Sequence, residues 1–236
     1  MSLPKIEKPI YETEIPSTSR KVKYTPFSVK EEKILLTAQE SKDTSQIILS
    51  IMQILNNCVF DIDVNNLSIF DIEFLLIMLR SKSVDNIVEF EIKDPDTDEK
   101  IKLSANLSEV VISRDSNHTN RVDINDKYVL FLKYPGINEF KGLIKEDKDT
   151  ISANESYNLL FSCLDKLVSV DGDVYKFSDF SKAEIEDFVE SLQSDVVQKI
   201  KLFMETMPKV RHEIQYKNSN GDTKTFIIQG TESFFT

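Results

Sequence analysis

The sequence predicts an α+β chain that is helix-rich, carries two small antiparallel β-hairpins and divides into two similar helix–hairpin subdomains. Three observations predict it. Apolar residues recur at helical spacing over 29–41, 44–58, 67–84, 152–170, 181–193 and 194–208. Period-two alternation replaces that spacing in NIVEFEIKD and KIKLSANLSEVVIS on either side of DPDTDE, and again in HEIQYKNSNGDTKTFIIQG around Asn220-Gly221. Helix, basic turn and hairpin occur in the same order at 68–112 (through KSV) and at 195–234 (through MPKV). Identity between the two stretches is weak, so a loose duplication and a chance likeness of α+β units both stand. The expected organisation is an extended arm or hairpin at 1–27, a helical plus hairpin subdomain at 28–112, a connecting loop and strand at 113–150, and a helical plus hairpin subdomain at 151–236.

Taken in order, YETEIPSTSRKVKYTPF alternates around STS and reads as a hairpin or an arm. Ser28 is placed to cap the first helix, with Glu31 and Glu32 in its first turn favouring the dipole. Asp43 is placed to cap the second, whose Ile47, Ile48, Ile51, Met52, Ile54 and Leu55 form a wide apolar face. Ser68 begins a third helix with so little polar surface that it should be the most buried element of this half. After the first hairpin, RDSNHTNRVDIND reads as a polar loop and KYVLFLKYP as a strand closed by Pro135-Gly136. SANESYNLLFSCLDKLVSV reads as one helix with Tyr157, Leu160, Phe161, Leu164 and Val168 on a face and DGD as its end. Ser181 and Glu184 make a capping box for the next helix, and Pro208 stops the last.

Composition excludes whole classes of function. The 236 residues carry 40 acidic and 29 basic side chains, a net charge of −11, which speaks against a general nucleic-acid coat. A 40% hydrophobic content with 15 Phe supplies a core. Five glycines form neither GxGxxG nor GxxxxGK[ST], so the usual phosphate-cradling loops are missing. The longest apolar segments, Ile69–Leu79 and Tyr128–Leu132, fall short of the roughly 20 residues that cross a bilayer, and Pro4, Pro9 and Pro16 break up the N-terminus. The chain therefore reads as cytosolic, with no membrane span.

No constellation for bond chemistry emerges, and no catalytic, cofactor or metal residue is assigned. Cys58 and Cys163 sit in apolar settings and read as buried thiols without the cationic neighbours a reactive thiolate needs. His118 lies in a polar loop and His212 at a strand start, and neither reads as catalytic. DPDTDE resembles a calcium loop only superficially, because Pro95 and Ala105 stand where the EF-hand pattern fails, and it reads as a solvated turn. The carboxylate pairs Glu31/Glu32 and Glu186/Glu190 read as helix-surface charge. Phe27, Phe226, Phe234 and Phe235 are the partner-contact candidates, since an aromatic chain end either packs into its own domain or anchors a partner. A small cytosolic thiol or hydrolytic enzyme of unrecognised family is the alternative function, and a nucleic-acid-associated factor, resting on the short run SRKVKY, is a third.

Several phrases in fixed order carry a resemblance. They are KVKYTPFSVKEEKILLTAQESKD, FDIEFLLIMLRSKSV, LKYPG, SCLDKL, DGDVYKFSDFSKAEIEDFVESL and FMETMPKVRHEIQY followed by GTESFF. Each is unspecific alone, but together they cover nearly the whole chain. The sequence resembles the baseplate hub proteins and hub-assembly factors of T-even-type contractile-tailed bacteriophages. The resemblance implies a non-enzymatic part in building the central hub, as a component or as a factor that promotes assembly and leaves. It implies other phage baseplate hub proteins as partners, with a homo-oligomer left open; the charge, the short apolar segments and the missing motifs give the expectation of no nucleic acid, no membrane and no cofactor. It also implies a place in the host cytoplasm during assembly and in the virion tail baseplate if the protein is retained. Relatives often carry cysteine pairs in the hairpin turns, a spacing suited to structural zinc. Here the turns read DPDTDE and KNSNGD, so no zinc role carries over and ordinary hairpin chemistry such as Asn220-Gly221 must hold them.

Overall fold

A computed structural model describes residues 6–41, 43–141 and 153–229. Contacts divide the chain into two compact units: Met1–Ser113 with Lys209–Thr236 (unit 1), and Arg114–Pro208 (unit 2).

Unit 1 opens with Tyr11–Glu14 (β1) and Lys21–Tyr24 (β2), paired antiparallel so that Val22 and Tyr24 are buried while Lys21 and Lys23 face out. Three helices follow: Val29–Ser41 (α1), Thr44–Cys58 (α2) and Ile69–Ser83 (α3). The second and third begin where side-chain oxygen meets the free amides of a first turn. Asp43 accepts from the amides of Ser45 and Gln46, and Ser68 and Asp71 form a reciprocal capping box at α3. Consecutive Leu75, Leu76 and Ile77 are all buried, so α3 is packed around most of its circumference and forms the core of the unit. Its cap is buried too: Asp71 is wholly inaccessible and also accepts from the Ser17 amide at 2.9 Å. Ile87–Lys93 (β3) and Lys100–Asn106 (β4) then pair as a hairpin, and Val111–Ser113 (β5) leaves for unit 2.

Unit 2 contains Arg121–Asp123 (β6), Tyr128–Leu132 (β7), Ile137–Lys141 (α4), Ala153–Ser162 (α5), Leu164–Ser169 (β8), Val174–Lys176 (β9), Lys182–Glu190 (α6) and Ser194–Glu205 (α7). Its strands form one antiparallel sheet in the order β6-β7-β8-β9. The core lies between that sheet and the helices, where Val196, Ile200 and Phe203 of α7 recur at helical spacing against Leu130, Leu132, Leu160 and Leu164. α6 starts on the capping box of Ser181 and Glu184. The chain then returns to unit 1 as Lys209–Lys217 (β10) and Thr223–Gln229 (β11), joined through a turn in which Gly221 takes φ +85°, a conformation glycine adopts freely. β5 pairs with β10, giving a three-stranded sheet in the order β11-β10-β5.

The α+β class stands, but a helix-rich chain with two hairpins does not. Among the described residues there are eleven strands in four antiparallel sheets. The C-terminal hairpin has a third strand, and residues expected to form a polar loop (β6) and part of a continuous helix (β8) join the expected strand β7, with β9, in the four-stranded sheet. The physical cause is local. Leu164 pairs with Leu132 and Leu167 with Leu130, and the register shifts between them, which marks a β-bulge. The extra residue puts Leu164 and Leu167 on the same face at a separation of three, while Val168, grouped with Leu164 on the expected helical face, pairs with Val129 on the opposite one. Strands β6 and β9 have three residues each, too few to show alternation.

Candidate partner-docking surfaces

In unit 1 the hairpin β3–β4 meets the hairpin β10–β11. Phe226 is half-buried, its ring centroid 5.6 Å from that of Phe90. Beside this aromatic pair Asp94, at the first turn, is wholly inaccessible. One carboxylate oxygen accepts from the amides of Asp96 and Thr97 and from the Thr97 hydroxyl; the other accepts from the Tyr216 hydroxyl at 2.8 Å, with Lys224 Nζ at 3.5 Å. Lys224 also binds Asp96, and the Ser219 amide donates to Glu99 at 2.7 Å. Burial pushes the Asp94 pKa up, but these donors outweigh it and hold the carboxyl well below the usual range. The same bond pushes the Tyr216 phenol up. Pro95, Asp96 and Asp98 of this turn are exposed, as expected, while Asp94 alone is buried and acts as the hub of a polar clamp joining both hairpin turns, its carboxylate oxygens filled by protein donors. Among the described residues no group of three or more His, Cys, Asp or Glu side chains is disposed to hold a metal ion.

Phe27 is also half-buried; its amide donates to Ser83 Oγ at 2.9 Å, fixing the turn into α1. The next residue, Ser28, gives both its amide and its hydroxyl to Glu31, which is buried and paired with Lys8 at 3.8 Å. Burial opposes the charge on Glu31, yet the Ser28 bonds and then Lys8 hold its pKa below the ordinary value. Phe234 and Phe235 lie outside the described residues.

The residues weighed for catalysis are occupied elsewhere. Burial pushes the Cys58 thiol up to about 11 and the Cys163 thiol up to about 12, and Cys163 donates to the Leu159 carbonyl at 3.4 Å. His212 is buried on β10 opposite Ile228. His118 stacks in unit 2 against Tyr134 and Phe203, at centroid distances of 5.6 and 5.0 Å. Its ring nitrogens lie 2.9 Å from Thr206 Oγ1 (Nδ1) and from the Tyr134 hydroxyl (Nε2). The Thr206 hydroxyl donates to the Leu202 carbonyl, so it accepts from Nδ1–H, which leaves Nε2 to accept from Tyr134. Burial lowers the His118 pKa.

Unit 2 also carries a surface that no single residue in the sequence announced. Val122, Leu130, Leu167 and Tyr175 are cross-strand neighbours in a row over β6, β7, β8 and β9. Burial falls along that row: Val122 and Leu130 are sealed, Leu167 is half-buried, and Tyr175 is 41% exposed. The helices cover one end, and the other opens as a cleft of about 730 Å³. Tyr128, Tyr175, Phe177, Phe180, Ile185 and Phe188 supply its apolar lining, with Phe177 and Phe188 5.3 Å apart. Most of the polar lining is committed internally. Asn125 accepts from the amides of Lys127 and Tyr128, Glu184 from both donors of Ser181, and Ser191 donates to the Phe188 carbonyl. The cleft therefore offers aromatic area and few free polar groups, the profile of a surface that takes apolar side chains. The signal in the sequence was the aromatic spacing of VYKFSDF followed by an amphipathic helix, and it became legible only once β9 was seen to be an edge strand.

No helix among the described residues is long and apolar enough to cross a membrane. No curated protein and no solved structure matches the chain. The family model described as "T4 bacteriophage base plate protein" matches residues 8–236, and on that match, which takes in both the clamped hairpins and the open cleft, the chain belongs to this bacteriophage baseplate family.

Proposed function

We propose that the chain is a baseplate hub protein or hub-assembly factor that works by binding other hub proteins and makes or breaks no covalent bond. The observation that carries the reading is the cleft of unit 2, lined mainly by aromatic and aliphatic side chains with most of its polar side chains committed internally, on a chain whose family is that of phage baseplate proteins. The two thiols support it in a second way, since raised pKa values in apolar surroundings leave little thiolate for nucleophilic chemistry at neutral pH. Its place is the host cytoplasm during assembly, and the tail baseplate of the virion if it is retained. Co-expression with the other hub proteins of the same phage, followed by size exclusion, tests the reading: the chain co-elutes with a hub complex or hastens its formation, and failure to do either removes it. A mass-spectrometric inventory of purified virions separates component from transient factor.

A further inference from the structure

We infer that the unit 2 cleft receives a short apolar segment of a protein partner, and that this segment is flanked by lysine or arginine. The inference rests on the functional reading above and names the site and the chemistry of its occupant. Three observations carry it. First, the row Val122–Leu130–Leu167–Tyr175 is a core row left incomplete: its sealed end is roofed by helices, and at its open end Tyr175 and Phe180 are each 41% exposed and Val174 54%. An apolar side chain laid there gains the burial that Leu130 already has. Second, β9 is an edge strand with no partner on its outer side among the described residues, so its main chain can guide an extended segment along the cleft. Third, the surroundings are strongly acidic. Residues 165–190, which run from β8 through β9 to the end of α6, carry eight carboxylates and three lysines. Lys182 and Glu186 pair at 3.4 Å and Lys166 lies over the Phe131 ring, and the stretch keeps an excess of five negative charges. Excess negative charge around an apolar cleft favours apolar anchors bracketed by cations and disfavours acidic ones. That argues against the chain's own segment 230–236, which holds Phe234 and Phe235 but also Glu232 and no cation.

The test uses the full chain co-expressed with the baseplate proteins of the same phage. Tyr175→Glu with Phe180→Glu changes two exposed side chains, and Val29→Glu serves as an exposed apolar control in unit 1. Circular dichroism confirms that each variant is folded. The unchanged chain and the control are expected to co-elute with the partner, while the double variant binds at least tenfold more weakly. A double variant that is folded and binds normally overturns the cleft assignment and leaves the functional reading intact; an unchanged chain that joins no complex overturns both. Overlapping 15-residue peptides of the co-eluting protein, with a peptide of residues 230–236 of this chain beside them, then identify the occupant. Binding by a Lys/Arg-flanked apolar peptide that weakens as salt is raised supports the inference. Preference for an acidic peptide, or for residues 230–236, overturns it.

Discussion

The paired hairpins of unit 1 and the cleft of unit 2 both rest on aromatic side chains at the end of an antiparallel sheet, and they are finished differently. Phe90 and Phe226 face each other, and beside them Asp94, Tyr216 and Lys224 bond one another. Phe177 and Phe188 also face each other, but Tyr175 and Phe180 beside them remain exposed. The same residue types form closed packing in one place and open surface in the other. What separates them is whether a second element supplies matching apolar area and the missing hydrogen bonds, a property of topology more than of composition.

Substitutions sharpen this contrast by stability, since a closed contact is felt in the free chain and an open one is not. The largest effect belongs to the sealed end of the unit 2 row. Leu130→Ala is expected to destabilise by about 3 kcal/mol in chemical denaturation, because it removes a fully buried side chain from a packed core. Phe226→Ala in unit 1 should cost about 2 kcal/mol, the sum of a half-buried ring and its pairing with Phe90. Tyr175→Ala, at the open end of the same row as Leu130, should cost less than about 1 kcal/mol. A loss for Tyr175 equal to that for Leu130 would break the distinction between open and closed.

The two units should also part company in pH. Asp94 has a folded pKa held below its unfolded value, so the clamp's contribution is fully present above the ordinary carboxylate range and is lost only as pH falls through the depressed value. His118 likewise has its folded pKa lowered, here because burial disfavours the charged ring, and its unfolded value lies near 6.5. The folded state thus gives up stability as pH drops below about 6.5, well before the Asp94 clamp is touched. Proton NMR should find the His118 midpoint below 6.5, and His118→Asn should flatten the stability profile between neutral pH and the acid limb. The smallest expected effect is chemical silence: a maleimide reagent at neutral pH should leave Cys58 and Cys163 unlabelled until denaturant is added. Fast labelling of either thiol in the folded chain would revive the enzyme alternative.

Local chemistry was the part of the fold that the sequence displayed openly. The caps at Asp43, Ser68 and Ser181, the end of α7 before Pro208 and the Asn220-Gly221 turn all depend on residues within a few positions of one another. Features that depend on distant partners were hidden. Leu164 and Val168, four apart as on a helix, lie on opposite faces of a bulged strand, and β5 becomes a strand through Val210, its neighbour in space but remote in sequence. Asp94 read as solvated because the Tyr216 and Lys224 that bury it lie at the other end of unit 1 in sequence. The cleft was hidden for the same reason. Tyr175 and Phe180 look like ordinary core residues until the sheet is known to stop at β9.

The most direct measurement is hydroxyl-radical footprinting of the free chain against the same chain in an assembled baseplate complex. The account predicts protection of Tyr175, Phe180 and Phe188 on assembly, with Phe90, Tyr216 and Phe226 unchanged. Protection of the hairpin aromatics, with the cleft as reactive in the complex as in the free chain, would contradict it.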